Sequence, residues 1–368
     1  MPMLFEATRI NGLELENRFV RSATWEGMAF ENGAPTPALI DLMTALAAGR
    51  VGLIISSHAY ITRQGQASPL QTGIYHDDLI PPLRAMTEAV HARRGRIVVQ
   101  LAHAGRFANQ QMTGQPPLAL SLKDPSQSQK FQEATEEDLK QLSADFAAAA
   151  RRAKAAGFDG VQLHAAHGYL LSQSLSPAFN QRKDNYGGRL ENRVRLLLET
   201  VSVVREEVGR NFPLLVKLNS ADFVENGLVL EESLQVGRWL QTAGVDVIEV
   251  SGGTIASGEM SPVRKGINTE EKEAYFRQAT KRFKEALQIP IILVGGIRSL
   301  AVAEELLEEE VADYFSLARP LIREPNLIQR WAEGDRRKAR CLSDNLCHDA
   351  ARAGEGLYCV IERRKERQ

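Results

Sequence analysis

Short apolar segments alternate with longer segments of helical periodicity eight times along the chain, and this repetition constrains the fold more than any other feature. Such alternation is typical of βα units that build a parallel sheet, whose strands are apolar on both faces. Eight units predict an α/β fold of the (β/α)8 TIM-barrel type. The predicted strands are Phe19–Ala23, Gly52–Ser56, Ile97–Leu101, Gly160–His164, Leu214–Leu218, Val247–Val250, Ile291–Val294 and Tyr314–Leu317.

Helical segments lie between these strands. Thr135 is a suitable N-cap for the third of them. Glycines stand where three helices should stop before the next strand, at Gly157, Gly209 and Gly244, because glycine adopts a positive φ without steric penalty. The predicted helices are Pro37–Ala48, Leu79–Arg93, Glu136–Ala156, Leu190–Val208, Glu231–Ala243, Glu270–Leu287 and Leu300–Glu309.

Two further segments flank the predicted barrel. Before the first strand, Asn11-Gly12 suits a type I′ turn, so residues 8–15 are predicted to form a hairpin that caps the bottom of the barrel. After Trp331 the chain becomes basic and polar, and we divide it into a barrel, residues 1–335, and a C-terminal extension, residues 336–368. The basic runs in the extension are short, which favours a solvated surface over a nucleic-acid-binding arm. The extension could also cross to a neighbouring subunit, and we expect a homo-oligomer.

Composition is that of an ordinary globular protein. The 368 residues are 43% hydrophobic and 25% charged, and 45 basic against 46 acidic side chains leave a net charge of −1, which gives no reason to expect a nucleic-acid partner. No apolar run reaches the roughly 18 residues of a membrane helix, and the N-terminus lacks a signal-peptide pattern. We therefore expect a cytoplasmic protein without membrane contact. The cysteines, Cys341, Cys347 and Cys359, fall in the last 28 residues, so the barrel cannot be disulfide-linked.

Polar residues and glycines cluster at the C-terminal ends of the predicted strands, where barrels of this kind carry their chemistry. Long connections follow the third and fourth strands, at Ala102–Ala134 and Ala165–Arg189, and such loops commonly build sites. In chain order the strand-end residues are Ser22, Ala23, Thr24, Trp25, Ser57, His58, Gln100, His103, His164, His167, Tyr169, Lys217, Asn219, Ser251, Gly252, Gly253, Gly295, Gly296, Ala318 and Arg319.

Two of these groups predict a phosphorylated, heterocyclic ligand. Gly295-Gly296 after the seventh strand and Arg319 after the eighth match the usual phosphate site of such barrels, where backbone N–H groups and a cation hold the anion. A simple turn is the alternative for the glycine pair. Gln100 and Lys217 end the third and fifth strands, where an amide and a cation could bind the edge of a heterocycle. The alternative for Lys217 is an ion pair within the barrel.

His164, His167 and Tyr169 fall within six residues at the top of the fourth strand. Two imidazole N–H donors that converge on one oxygen would polarise a carbonyl, and a phenol could then deliver a proton. A metal site is the competing interpretation, because His-x-x-His can supply two ligands. No carboxylate is grouped with the pair in the sequence, so no metal is predicted. His103 is interpreted as a possible loop anchor.

With these motifs in view, the chain resembles the old yellow enzyme family over nearly its whole length. The matching segments are Asn17–Val20, Gln100–Arg106 and Phe158–Arg193, the last with His164-Ala-Ala-His167-Gly-Tyr169 and Asp184-Asn-Tyr186-Gly-Gly-Arg189. The resemblance implies an FMN-containing barrel that takes hydride from NAD(P)H. It also implies that the substrate is a small molecule, an enone or a thioester, whose C=C bond is reduced.

The resemblance assigns roles to the strand-end residues. His164 and His167 would bind the carbonyl oxygen of the substrate, and Tyr169 would protonate its α-carbon. Trp25 and His58 are departures, since many members carry Cys or Thr at the first position and a small residue at the second, so both could reshape the substrate pocket. The residues implied to contact FMN are Ala23, Thr24, His58, Gln100, Lys217 and Ser251 at the ring, and Gly295, Gly296, Ala318 and Arg319 at the phosphate.

The C-terminal extension carries a second resemblance, to the iron–sulfur segment of the 2,4-dienoyl-CoA reductase branch. Asp344 stands where a second cysteine is expected between Cys341 and Cys347, so with Cys359 only three thiolates remain. A normal [4Fe–4S] cluster takes four, so we predict a degenerate cysteine motif, and a labile or three-cysteine site stays open. Two alternative functions follow: an enoyl- or dienoyl-CoA reductase component supplied with electrons by a partner, or a flavin electron carrier.

Overall fold

Eight parallel strands close into a barrel in which each strand pairs with the next one along the chain, and β12 pairs with β3. The structure is a computed structural model that describes residues 3–122 and 131–366. The strands are β1 (Thr8–Ile10), β2 (Leu13–Leu15), β3 (Phe19–Arg21), β4 (Leu53–Tyr60), β5 (Ile97–Ala102), β6 (Leu118–Ala119), β7 (Gln132–Glu133), β8 (Gly160–Ala165), β9 (Leu214–Asn219), β10 (Val247–Ser251), β11 (Ile291–Val294) and β12 (Tyr314–Leu317). The predicted (β/α)8 barrel is confirmed.

Helices surround the barrel. Short 3₁₀ turns lie at Arg63–Gly65, Asp77–Leu79, Gly105–Phe107, Gly258–Met260 and Glu270–Lys272. The α-helices are α1 (Pro37–Ala48), α2 (Ile80–His91), α3 (Gln110–Thr113), α4 (Glu136–Ala155), α5 (Leu170–Leu175), α6 (Leu190–Arg193), α7 (Arg195–Val208), α8 (Leu230–Thr242), α9 (Arg277–Ala286), α10 (Leu300–Glu308), α11 (Arg319–Arg323), α12 (Leu327–Ala332), α13 (Leu346–Arg352) and α14 (Val360–Glu366).

Local signals in the sequence account for several helix ends. The hydroxyl of Thr135 accepts a hydrogen bond from the backbone N–H of Asp138, and the Asp138 carboxylate accepts one in return, so α4 begins with a capping box. Gly157, Gly209 and Gly244 have φ values of 83°, 84° and 88°, as a glycine stop requires.

One predicted helix is wrong over its first half. The sequence predicts a continuous helix over residues 270–287, but a 3₁₀ turn ends at Lys272 and α9 begins only at Arg277. The break follows from two features. The buried Glu273 carboxylate accepts hydrogen bonds from the backbone N–H groups of Arg298 and Ser299, and Ala274 has a φ of +50°. Glu273 is therefore drawn to the start of α10 instead of continuing a helix. The predicted helix 190–208 is interrupted only at residue 194.

The predicted hairpin closes the bottom of the barrel. β1 and β2 pair antiparallel around Asn11, whose φ is +51°. The Asn11 amide donates to the backbone carbonyl of Arg210 and to the carboxylate of Asp246. Ile10 and Leu15 then pack into a buried apolar cluster, whose other members are Val20, Leu53, Ile55, Val98, Leu215, Val247, Ile292 and Tyr314. This cluster therefore fills the lower part of the barrel interior.

Both long connections follow strands at that open end. The loop predicted for Ala102–Ala134 contains α3, β6 and β7, and its residues 123–130 lie outside the described residues. In the loop after β8, the Asn180 amide donates to the backbone carbonyls of Ser174 and Tyr186, and Arg182 pairs with Asp184. These motif residues hold the loop in place.

The C-terminal extension folds back onto the barrel. Cys347, Ala351 and Leu357 form a small apolar cluster against which Trp25 packs. Glu362 of α14 accepts hydrogen bonds from the guanidinium groups of Arg323 and Arg340, each at 2.9 Å. The basic runs at residues 336–338 and 363–365 are exposed, as expected, whereas apolar side chains and ion pairs attach the segment between them to the barrel.

Candidate active site

A cavity of about 440 Å³ opens at the carboxyl ends of the barrel strands. Gly295, which was predicted to bind the ligand, does not line it; its carbonyl accepts a hydrogen bond from the backbone N–H of Tyr275. The structure brings the other predicted site residues together in the cavity wall. They are Ala23, Thr24, Trp25, His58, Gln100, His164, His167, Tyr169, Lys217, Ser251, Gly296, Ala318 and Arg319.

The two histidines lie side by side. His164 is the second-last residue of strand β8, and His167 follows the strand with a φ of +61°. Their ring centroids are 5.1 Å apart at an interplanar angle of 78°. Neighbouring strands fix this unusual backbone. Asn219 of β9 accepts a hydrogen bond from the backbone N–H of His167, and Oγ of Ser251 in β10 lies 2.8 Å from its Nε2. The predicted flavin contact Ser251 is thus in direct contact with His167.

Burial keeps both imidazoles neutral. It lowers the pKa of His164 and of His167 well below the ordinary value, and the positive charge of Lys217 adds to the effect. Each ring therefore carries one N–H at neutral pH. Nδ1 of His164 is buried and has no hydrogen-bond partner among the residues that the structure describes. Buried polar atoms are normally paired, so a ligand that supplies a partner would be stabilised here.

Tyr169 and His58 complete this side of the cavity. The Tyr169 ring centroid is 4.6 Å from that of His164 and 5.5 Å from that of His58. Burial raises the pKa of Tyr169, so the phenol keeps its proton. A shift in the β4–β5 register between Ile55 and His58 accompanies the placement of His58 in the cavity wall, where burial lowers its pKa to about 4.

A chain of polar contacts lies beneath the cavity. Nζ of Lys217 is 3.1 Å from the Glu249 carboxylate and 2.7 Å from Oγ of Ser22. Gln162 donates to the same carboxylate at 2.9 Å and accepts from the Gln100 amide at 2.7 Å. The ion pair proposed as the alternative for Lys217 is therefore present, although Lys217 also lines the cavity.

Sequence reasoning missed Glu249 and Gln162. Burial by itself would raise the pKa of Glu249, but Lys217 and the hydrogen bonds from Gln162 and Ser22 lower it on balance. An acidic residue in the otherwise apolar segment Val247–Val250 was the available signal, since a carboxylate in a buried strand requires a partner.

Gly296 and Arg319 lie in the cavity wall and form the predicted phosphate site, called the cradle below. Gly296 has a φ of +79°, and a Cβ atom at this position would lie 2.9 Å from the ring of Tyr275. Nη1 of Arg319 donates to the backbone carbonyl of Arg264 and to Oδ1 of Asn345. The position of the guanidinium is therefore fixed partly by the C-terminal extension, which no local sequence pattern indicated.

The extension also supplies cavity wall. His348 and Arg352 of α13 line the cavity, and Trp25 lies between the barrel and this helix, with its indole N–H donating to the carbonyl of Pro69. Both predicted departures, Trp25 and His58, therefore face the cavity, where they occupy space.

His103 and the cysteines lie outside this arrangement. His103 is buried, accepts a hydrogen bond from the backbone N–H of Gly105, and is a loop anchor as interpreted. Cys341, Cys347 and Cys359 are free thiols, and burial raises the pKa of Cys347 to about 11. Within residues 3–122 and 131–366, no three His, Cys, Asp or Glu side chains are grouped to hold a metal ion, and no helix is long and apolar enough to span a bilayer.

The profile of the NADH:flavin oxidoreductase / NADH oxidase family matches residues 3–338. The chain belongs to this family. The resemblance to the old yellow enzymes is thereby confirmed, and FMN is the cofactor of this family of NAD(P)H:flavin oxidoreductases. The residues of the cavity suit FMN, because the same wall contains the Gly296–Arg319 cradle and amide, ammonium and imidazole groups.

Individual members of the family extend the comparison. An NADPH dehydrogenase of Halalkalibacterium halodurans is 36% identical over 326 residues, which cover 88% of this chain and 91% of that protein. A metal reductase of Desulforamulus reducens is 34% identical and covers 98% of this chain, but the chain spans only 53% of that longer protein. The old yellow enzyme homologue of Zymomonas mobilis has a TM-score of 0.77 at 27% identity, over 90% of this chain and 93% of that structure.

Proposed function

We propose that this flavoprotein takes hydride from NAD(P)H and reduces the C=C bond of α,β-unsaturated carbonyl compounds. The observation that carries the proposal is the pair of neutral, buried imidazoles of His164 and His167, with the protonated phenol of Tyr169 beside them in the cavity. A neutral donor pair stabilises a developing negative charge without first forming an ion pair with the substrate.

FMN, when bound, supplies the chemistry that moves a hydride from NAD(P)H to the β-carbon of the alkene. Gly296, Ala318 and Arg319 would hold its phosphate, with Gly295 shaping the same turn. Ala23, Thr24, His58, Gln100, Lys217 and Ser251 would surround its ring system. Lys217 would place a positive charge beside the ring, where reduction adds negative charge.

The substrate would be held by its carbonyl oxygen. His164 and His167 would each donate an N–H to that oxygen and so withdraw electrons from the alkene. Tyr169, which burial keeps protonated, would deliver a proton to the α-carbon. Trp25 would limit the size of the group that fits beside the alkene.

The decisive experiment is anaerobic reoxidation of the photoreduced holoenzyme by cyclohexenone. His164→Ala and His167→Ala should each slow the reoxidation by roughly 10²- to 10³-fold, the range for removal of one oxyanion donor, and should retain FMN. His91→Ala is the control, because His91, the last residue of α2, pairs with Asp159 and does not line the cavity. Wild-type reoxidation rates in both cavity variants would refute the proposal.

The same assay tests the two alternatives predicted from the sequence. Reoxidation by a CoA thioester but not by cyclohexenone would favour the CoA reductase, and reoxidation only by a protein acceptor would favour the electron carrier. The cytoplasmic location and the homo-oligomeric state stay predictions from the sequence.

A further inference from the structure

A second, larger cavity adjoins the first. Its volume is about 1030 Å³, and it lies between the segment after β10 and helix α13 of the C-terminal extension. Pockets of roughly 300–1000 Å³ hold drug-sized ligands. The first cavity alone, at about 440 Å³, is therefore large enough for a small enone. The two cavities are neighbours, because six residues line both of them: Ile255, Pro262, Val263, Tyr275, His348 and Arg352.

Arg264 is the unusual residue in the larger cavity. The centre of its guanidinium lies 4.4 Å from the ring centroid of Tyr275 and 5.3 Å from that of Phe276. Its Nε is buried without a hydrogen-bond partner among the described residues, and none of the ion pairs between described residues includes Arg264. Burial lowers its pKa. A part-buried guanidinium that stacks on aromatic rings is stabilised further when an anion completes its hydrogen bonds.

The remaining charges of the lining leave Arg264 available. The cavity has four cations, Arg264, Lys265, Lys272 and Arg352, and three carboxylates, Glu259, Glu271 and Asp349, which gives a net charge of 4 − 3 = +1. Arg352 pairs with Asp349 at 3.1 Å, and Lys272 donates to the Asn268 amide. His348 is neutral, because burial lowers its pKa to about 4.

Apolar side chains lie beside these charges. Ile255 and Val263, which line both cavities, are 67% and 37% exposed. An exposed Ile and Val next to an uncompensated guanidinium suit a ligand that has a flat or apolar part and an anionic part.

We propose that the larger cavity binds the phosphate-bearing nucleotide of a ligand whose reactive end enters the smaller cavity, and that Arg264 is its principal cation. The inference rests on the proposed function, because it places the redox reaction in the smaller cavity. A guanidinium is suited to phosphate, which it binds through two parallel hydrogen bonds. Two ligands have this chemistry: the adenylate half of NAD(P)H and the nucleotide of a CoA thioester.

Binding of NADP⁺ and of CoA to the oxidised holoenzyme, measured by calorimetry, tests the site without turnover. Arg264→Gln should weaken at least one of them by roughly tenfold or more, as expected for loss of a charge-assisted phosphate contact. Arg363→Gln is the matched control, since the Arg363 guanidinium also stacks on a tyrosine, 4.3 Å from the ring of Tyr358, but on α14 outside both cavities. Equal affinities in Arg264→Gln and wild type for both ligands would overturn the proposal.

The reductive and oxidative half-reactions, measured separately, identify which ligand carries the phosphate that Arg264 binds. If NAD(P)H uses the site, Arg264→Gln slows flavin reduction by NADPH at subsaturating concentration but not by reduced nicotinamide mononucleotide, which lacks the adenylate. If a thioester uses it, reoxidation by crotonyl-CoA is slowed but that by cyclohexenone is not. Equal slowing of the short and long ligands would contradict the proposal, because it would indicate damage to the smaller cavity.

A second variant keeps the proposal testable if the first variant misfolds. If Arg264→Gln loses FMN, the same measurements are made on Lys265→Gln. Lys265 is exposed on the same wall, and its substitution should lower the affinity for the nucleotide by about threefold. Absence of cyclohexenone turnover in wild type would count against the proposed function alone, because the calorimetric result does not depend on it.

Discussion

Lys217 and Glu249 form an ion pair of 3.1 Å inside the barrel, and their side chains are only 4% and 0% exposed. The pair allows a positive charge to lie at the cavity floor without being an isolated buried ion. Gln162 and Ser22 donate further hydrogen bonds to the same carboxylate. The charge beside the proposed flavin ring is thus part of the barrel's own structure.

Removal of one partner of this pair should destabilise the protein strongly. Glu249→Gln leaves the Lys217 ammonium buried and unpaired, and we expect a loss of about 3–5 kcal/mol in the free energy of unfolding. The double variant Lys217→Met/Glu249→Gln should recover part of this loss, because no unpaired charge remains. Urea unfolding of the apoprotein measures both. A double variant less stable than Glu249→Gln would contradict the account.

The same pair should make the free energy of unfolding depend on pH in the acid range. Its environment holds the pKa of Glu249 below the ordinary 4.5, so the unfolded chain binds this proton more readily than the folded one. The stabilising contribution is fully present above about pH 4.5 and is lost as the pH falls through the folded-state pKa. The difference in stability between wild type and Glu249→Gln should therefore be constant well above that pH and should shrink below it.

The neutral histidine pair predicts a flat pH profile. Because burial lowers the pKa of both His164 and His167 well below 6.5, neither ring should titrate between about pH 6 and 8. We expect the rate constant for reoxidation of reduced enzyme by cyclohexenone to change less than about twofold over this range. A step centred near the ordinary histidine pKa that disappears in His167→Asn would show that the ring is protonated in the working enzyme.

The cradle at Gly296 predicts a defect in cofactor retention. Gly296→Ala should lower the FMN content of the purified protein, since the new Cβ would lie 2.9 Å from the Tyr275 ring and the φ of +79° is strained for alanine. Gly209→Ala is the matched control, because its φ is +84° and a Cβ added there would have no atom within 4 Å among the described residues. Both variants should lose stability, but only Gly296→Ala should lose FMN.

Trp25 predicts a link between pocket size and the C-terminal extension. Trp25→Ala should enlarge the cavity and also remove packing from the cluster of Cys347, Ala351 and Leu357. We expect bulky β-substituted enones to be reduced faster relative to cyclohexenone, and the amides of α13 to exchange hydrogen faster by mass spectrometry. Faster turnover of bulky enones with unchanged exchange would separate the two roles.

The barrel and the composition of its cavity could be predicted because both depend on local regularities. Buried strands are continuous apolar runs, helices start at caps such as Thr135, and parallel strands bring their carboxyl ends to one edge. His164 and Lys217 were therefore placed correctly in one wall without any knowledge of contacts.

The features that the sequence did not predict depend on contacts between residues that are distant along the chain. Asn345 fixes Arg319, and Ala351 packs near Trp25, yet nothing in either local sequence signals its partner. The break before α9 was missed for the same reason, since Glu273 is drawn away by Ser299, 26 residues later at the start of α10. Such pairings are set by the assembled fold rather than by propensity.

The position of the C-terminal extension bears on the order of events during translation. Arg319 is held by Asn345, and the wall behind Trp25 consists of Cys347, Ala351 and Leu357, from the other end of the chain. The barrel strands are all synthesised before these contacts can form. A nascent chain on the ribosome would consequently contain all eight barrel strands before Asn345 and α13 are available, and tight binding of the flavin would wait until these had emerged and docked.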